Sequence, residues 1–133
     1  MKKYMLDTNI VSYLIKGNEQ VANHIIALPI TSICISAITE GELLAGIAKR
    51  PEAKKLHLAV HEFLRRVDVI AWDSNTAEHY GQLRSKLESL GSTLSPLDML
   101  IAAHAVSINA ILVTNDQAFK TINQLTIENW CET

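Results

Sequence analysis

The sequence predicts an α/β fold built on a parallel sheet, and three observations carry that reading. Short apolar runs recur along the chain, at residues 3–7, 33–35, 67–72, 110–114 and 126–128. Helical segments separate them, and alternation of strand with helix favours a parallel sheet covered by helices. Ile33-Cys34-Ile35 is apolar without a break, as in a strand buried on both faces. The 133 residues show no repeat, linker or low-complexity tract, so the expectation is a single domain over 1–133.

Residues 3–7 form the first strand, which runs into Asp7-Thr8-Asn9. A helix from Asn9 to Ile15 stops near Gly17, and a second covers 18–28 before Pro29. After the strand at 33–35, Ser36 is the N-cap of a helix over 37–49. Residues 51–66 carry Leu56, Val60, Phe63 and Leu64 at helical spacing. A third strand at 67–72 precedes a helix over 76–90, which Gly91 ends. Ser95-Pro96 opens the next helix, with Ser as N-cap and Pro at the first helical position, and it runs to about Ala105. The fourth strand, 110–114, turns at Asn115-Asp116 into a short helix, and 126–128 is a last edge strand.

Apolar residues make up 48% of the chain, with no stretch long enough for a membrane span. Lys2-Lys3 is followed only by Tyr4, Met5 and Leu6 before Asp7, which does not make a signal peptide. Cys34 and Cys131 suggest neither a disulfide framework nor a zinc motif. These features point to the cytoplasm. Twelve basic residues against fourteen acidic ones give a net charge of −2. A plain nucleic-acid-binding module is usually basic. A nuclease, by contrast, can gather carboxylates and restore positive charge with bound metal.

Four carboxylates occupy similar places in this pattern. Asp7 ends the first strand and Asp116 follows the fourth. Glu42 lies in the helix after the second strand, and Asp98 in the first turn of the helix before the fourth. Ligands of open parallel sheets bind beyond the carboxyl ends of the strands, where strand order reverses. If the first strand lies between the second and the fourth, all four acids face one crevice. Each also has a purely structural use. Asp7, Thr8 and Asn9 suit a helix cap, Asp98 favours a helix dipole, Asn115-Asp116 is turn chemistry, and Glu42 suits a solvated helix face. Their joint placement favours the functional reading. Glu40 is a competitor of Glu42 but lies roughly 200° away around the helix. Glu42 shares its face with Thr39 and Gly46, and Gly46 suits close approach of another element, so Glu42 is the inward candidate. Oxygen ligands without a convincing Cys or His set favour Mg²⁺ or Mn²⁺.

LDTN at 6–9, ITEGELLAG at 38–46, SPLDMLIAAHA at 95–105 and VTNDQAF at 113–119 together resemble the PIN domain. More narrowly they resemble the VapC toxins of bacterial toxin–antitoxin pairs. YGQLRSKLESLG at 80–91 and ENW at 128–130 extend the resemblance over essentially the whole chain. It implies a three-layer α/β/α sandwich with strand order 3-2-1-4-5, and an endoribonuclease dependent on Mg²⁺, for which Mn²⁺ can substitute. The family's acidic positions map onto Asp7, Glu42, Asp98 and Asp116, and its accessory polar positions onto Thr8, Asn9 and Thr114. On that mapping Asp7 and Asp98 are the primary metal ligands. Asp116 binds directly or through water, Glu42 holds and helps deprotonate a metal-bound water, and Asn9 and Thr114 orient the carboxylates. Cleavage by activated water leaves 5′-phosphate and 3′-hydroxyl ends.

Basic residues cluster at Lys49, Arg50, Lys54 and Lys55, at Arg65 and Arg66, and at Arg84 and Lys86. As a rim they would contact RNA phosphates in a salt-sensitive way. Few aromatics are present, so recognition of a folded RNA by shape fits better than a stacking platform. The resemblance suggests tRNA, at the anticodon stem-loop, with initiator tRNA as the specific guess, and hence inhibition of translation. It also implies a homodimer and a cognate VapB-type antitoxin in a higher hetero-oligomer, with operator DNA bound only through the antitoxin. Ile10, Val11, Tyr13 and Leu14 are expected to line the antitoxin groove or the dimer contact. His104 is expected to serve packing or an interface, and His57 with His61 lacks a third metal ligand. A haloacid-dehalogenase-type phosphatase needs a second Asp where Asn9 stands, and a receiver domain needs paired acids after the first strand. The remaining alternative is a non-catalytic RNA- or protein-binding module on the same fold.

Overall fold

The computed structural model describes residues 2–132. Its strands are β1 (Tyr4–Leu6), β2 (Ile33–Ser36), β3 (Asp68–Ile70), β4 (Ile111–Val113) and β5 (Ile127–Glu128). They pair in parallel in the order β3-β2-β1-β4-β5, the expected order. Met5 of β1 lies opposite Cys34 on one side and Leu112 on the other. Strand order therefore reverses at β1, and the crevice lies beyond its carboxyl end.

The helices are α1 (Thr8–Ile15), α2 (Glu19–Ile26), α3 (Ala37–Ala48), α4 (Lys54–Arg66), α5 (Ser74–Ser89) and α6 (Pro96–Ser107). Single 3₁₀ turns cover Ile30–Ser32 and Gln117–Thr121. Alternation along the strands divides the core in two. Met5, Cys34 and Leu112 point to one face, where Leu83 and Leu87 of α5 and Ile101, Ala102 and Ala105 of α6 cover them. Leu6, Ile33, Ile35 and Val113 point to the other, against Ile10, Val11, Leu43, Ile47 and Val60 of α1, α3 and α4. This is a three-layer α/β/α sandwich. Trp130, 1% exposed, closes the second core near the C-terminus. The His24 ring stacks at 5.1 Å from it, and its indole N–H donates to Glu128 at 3.0 Å.

Caps set the helix starts. Asp7, Asn18, Ser36, Asp73 and Ser95 each accept a backbone N–H in the first turn of the helix that follows. Asp7 thereby ends β1 and starts α1 at once, so α1 begins at Thr8 rather than Asn9. α5 begins at Ser74 rather than Thr76 because Asp73 caps it. α4 begins at Lys54 rather than 51, since residues from Pro51 form a turn after α3. β3 is shorter than 67–72: the N–H of Val67 still bonds Phe63 of α4, which delays the strand to Asp68. Gly17 and Gly91 follow α1 and α5 with φ of 90° and 70°, where a side chain would be strained.

Two expectations about surfaces are corrected. Ile10 and Val11 are fully buried against the sheet, so neither lines a groove for a partner. Gly46 is not a close-approach site within the chain, because a Cβ there would meet nothing within 4 Å. No described helix is long and apolar enough to cross a membrane.

Candidate active site

Asp7 lies at the end of β1 with its backbone N–H on Val113 O of β4. Its Oδ1 accepts from Ile10 N at 2.9 Å, so the positive end of α1 is directed at the carboxylate. The residue is only 5% exposed. Its carboxyl pKa is pushed up to about 6, chiefly by burial and to a lesser extent by the charges of Asp98 and Asp116, against Thr114 and Ile10, which favour the ionised form. Asp98 sits in the first turn of α6, its own N–H held by Ser95 Oγ at 3.1 Å. Its carboxyl is raised as well, first by burial and then by Asp116. Asp116 accepts from Ala118 N at 2.9 Å and caps the 3₁₀ turn, while its N–H donates to Thr114 Oγ1 at 3.1 Å. Three of the four expected acids thus share one electrostatic neighbourhood. Each also caps or opens a helix, so the structural uses expected of these residues are present alongside their clustering.

Glu42 reaches the same crevice from α3. Thr8 Oγ1 donates to Glu42 Oε1 at 2.8 Å and lies 3.3 Å from Thr39 Oγ1. Because Thr8 follows Asp7 directly, this hydroxyl ties the α3 carboxylate to the end of β1. Thr114, 2% exposed, holds Asp7 from the β4 side. Thr8 on Glu42, Thr114 on Asp7 and Ser95 on Asp98 are therefore hydroxyls that hold the acids of this crevice. Asn9 is exposed and makes no side-chain hydrogen bond among the described residues. Glu40 makes no side-chain hydrogen bond among the described residues and is half-buried rather than fully solvated.

The donor set is all oxygen, and it suits a hard divalent cation. Two raised carboxyls beside a third acid form a cluster that positive charge would relieve. No group of three or more His, Cys, Asp or Glu side chains among the described residues is already drawn into a cage. A Mg²⁺ site does not require one, because that ion keeps several waters and uses one or two carboxylates.

The other candidates fall outside the crevice. His104 is fully buried, and its Nδ1 pairs with Ser36 Oγ at 2.7 Å. Burial lowers its pKa and so favours the neutral ring, whose Nδ1 shares this hydrogen bond with the Ser36 hydroxyl that also accepts from Ile38 N. This bond joins the start of α3 to α6, the packing role expected of it. His57 Nε2 is engaged by Arg50 O at 2.9 Å. Arg65 and Arg66 both pair with Glu62 at 2.7 Å, and Arg84 pairs with Glu88 at 2.8 Å. Burial and then the charge of Asp7 raise the Cys131 thiol, which places the C-terminal segment beside the crevice. Lys16 stands apart from the clustered basic residues of the sequence. It lines a groove that opens beside Glu42, and its only sequence signal is its spacing of eight residues from Thr8.

The sequence model of the PIN domain matches residues 4–125. A tRNA(fMet)-specific endonuclease VapC of Salmonella typhimurium is 38% identical over 133 residues, covering 98% of this chain and all of the relative. A DNA-bound VapBC structure from Salmonella typhimurium superposes with a TM-score of 0.91 at 36% identity, covering 98% of this chain and 100% of that one. VapBC2 from Rickettsia felis, bound to a DNA fragment from their promoter, gives 0.89 at 38%, covering 96% and 98%. The chain belongs to the PIN-domain family and, within it, to the VapC ribonucleases.

Proposed function

We propose that this chain is the toxin of a toxin–antitoxin pair, a Mg²⁺-dependent endoribonuclease that cuts initiator tRNA in the anticodon stem-loop and thereby inhibits translation. The observation that carries the reading is the convergence of Asp7, Asp98 and Asp116 where strand order reverses, with Glu42 tied in by Thr8. The full-length likeness to a tRNA(fMet)-specific endonuclease supports the choice of substrate. Asp7, Asp98 and Asp116 would hold the ion. When bound, a divalent cation there supplies a Lewis acid for the phosphodiester and lowers the pKa of water. Glu42, fixed by Thr8, positions the attacking water and accepts its proton. Thr114 keeps Asp7 oriented and ionised. The cut leaves 5′-phosphate and 3′-hydroxyl ends; a 2′,3′-cyclic phosphate would mean attack by the ribose hydroxyl instead.

The partner is a VapB-type antitoxin, and operator DNA is reached through it; the DNA-bound VapBC relatives support this. An apolar groove of about 380 Å³, lined in part by Leu14, Ile25, Ile30, Phe63 and Val67, offers a seat for that partner. Ile30 is 54% exposed at its edge. Ile30→Asp should weaken antitoxin binding without changing RNA cleavage. The toxin itself is read as a homodimer, to be checked by sedimentation. The alternative, a non-catalytic binding module, has no need of divalent metal. Incubating the purified chain with a tRNA pool, with Mg²⁺ or EDTA, separates the two: EDTA-sensitive cuts support the enzyme, and metal-independent binding without cuts supports the module.

A further inference from the structure

Two helices flank the crevice with matching stripes. Along α1 and its C-cap, Thr8, Ser12 and Lys16 recur every four residues. Along α3 and just past its end, Glu42, Gly46 and Arg50 do the same. All six line one groove of about 240 Å³, floored by apolar side chains that include Leu43, Ile47 and Val60. The Thr8 hydroxyl and the Glu42 carboxylate stand at one end, bonded at 2.8 Å. Small residues, Ser12 and Gly46, form the middle, and two exposed cations close the other end. Eight residues of helix rise about 12 Å, so the cations stand about that far along from the acids.

The middle is open for no internal reason. A Cβ at Gly46 would meet nothing within 4 Å, and glycine inside a helix costs roughly 0.5–1 kcal/mol relative to alanine. Gly41 and Gly81 have open space too, but only Gly46 lies in the groove, one turn beyond Glu42. Lys16 makes no ion pair among the described residues, and Arg50 has only a loose one, 3.8 Å to exposed Glu52. Weakly paired cations at the far end of a trough that begins at Glu42, whose partner Thr8 adjoins Asp7, match the charge pattern of a polyanion leaving the acids along it.

We propose that this trough is an RNA subsite. An unpaired strand next to the scissile phosphate lies across Ser12 and Gly46, and Lys16 and Arg50 hold a neighbouring phosphate. The proposal rests on the ribonuclease reading and adds the direction of the strand's path: away from the acids, between α1 and α3. Lys16 and Arg50 are binding residues here, and Gly46 is the residue whose small size admits the strand.

The test measures steady-state cleavage of a tRNA pool and of a short mixed-sequence single-stranded RNA in Mg²⁺, over a range of salt. Lys16→Ala, Arg50→Ala and Gly46→Leu are compared with wild type, and Lys2→Ala, exposed at the opposite end of β1 from Asp7, is the control cation. The expected result is a several-fold rise in KM for the groove variants with kcat little changed. The slope of log KM against log salt should fall by about 0.7 for each groove cation removed and stay constant in the control. Gly46→Leu should raise KM without lowering Tm, which a folding defect would not do. Unchanged KM and salt slope in all groove variants, with wild type active, overturn the subsite alone. So does a loss confined to antitoxin binding, which would assign the trough to the protein partner. A wild-type chain that cuts no RNA overturns the ribonuclease reading and this proposal with it.

Discussion

Replacing Asp7 with asparagine removes a buried charge and keeps a helix cap. Asp7 is 5% exposed, so solvent screening relieves little of the cost of ionising it. Its carboxyl pKa rises from 3.8 to about 6, first through burial and then through Asp98 and Asp116. Between those values the native chain binds more protons than the unfolded one, so stability falls as pH rises through that window. Above it the whole penalty is present, on the order of 3 kcal/mol for a shift of about two pKa units. Asparagine avoids the penalty, and its side-chain oxygen can still accept from Ile10 N. It has one such oxygen rather than two, so either that bond or the one from Thr114 weakens, at about 1 kcal/mol. The net gain is about 2 kcal/mol, or roughly 5–10 °C in Tm for a domain of this size. Asp7→Ala also removes the charge but loses the cap, about 1 kcal/mol, and should gain less. The assay is thermal unfolding in EDTA at pH 8 and at pH 4. The gain of Asp7→Asn should be present at pH 8 and nearly vanish at pH 4, and Mg²⁺ should raise the Tm of wild type only. An Asn variant no more stable than wild type at pH 8, or equally stabilised at both pH values, would refute the reasoning.

Thr8→Val removes the bond that fixes Glu42, and cleavage should fall 10–100-fold, roughly what loss of a carboxylate-orienting partner costs, with Tm almost unchanged. Ser36→Ala removes the α3 cap and leaves buried His104 Nδ1 unpaired, a loss of about 2–3 kcal/mol in chemical denaturation. Because burial lowers the His104 pKa from 6.5, its share of stability is present above pH 6.5 and lost as pH falls below it. His104→Gln should flatten that limb of the stability profile, which denaturant titrations from pH 5 to 8 would read. Trp130→Ala empties a site that is 1% exposed and should cost about 3–5 kcal/mol.

Much of this molecule is legible in the sequence because local signals and global fold agree. Ser36, Ser95-Pro96 and Gly91 mark helix ends by their backbone chemistry, and all three stand where expected. The unbroken apolar run at 33–35 announces a strand covered on both faces, and Ile33, Cys34 and Ile35 are all buried. The acids were legible as a set, since each follows or precedes a strand at the same end of the sheet. What failed depends on tertiary packing. Ile10 and Val11 look like surface anchors on a short helix, yet α1 is wedged against the sheet so closely that both vanish into the core. Asp73 is a cap that the sequence pattern hides, because the apolar run through Trp72 extends the strand two residues past its end at Ile70 and pushes the helix start from Ser74 to Thr76. The gap around Gly46 and the place of Lys16 opposite Arg50 arise between two helices that are distant in sequence, which no local pattern reports.

The proposed function requires that the acids at the end of β1 carry out metal-dependent RNA cleavage. The most direct measurement is the cutting of purified initiator tRNA by the wild-type chain and by Asp98→Asn, in Mg²⁺ and in EDTA, with the ends of the products identified. Wild type should make discrete cuts in the anticodon stem-loop in Mg²⁺ only, leaving 5′-phosphate and 3′-hydroxyl ends. Cuts that persist in Asp98→Asn or in EDTA would contradict the proposed function.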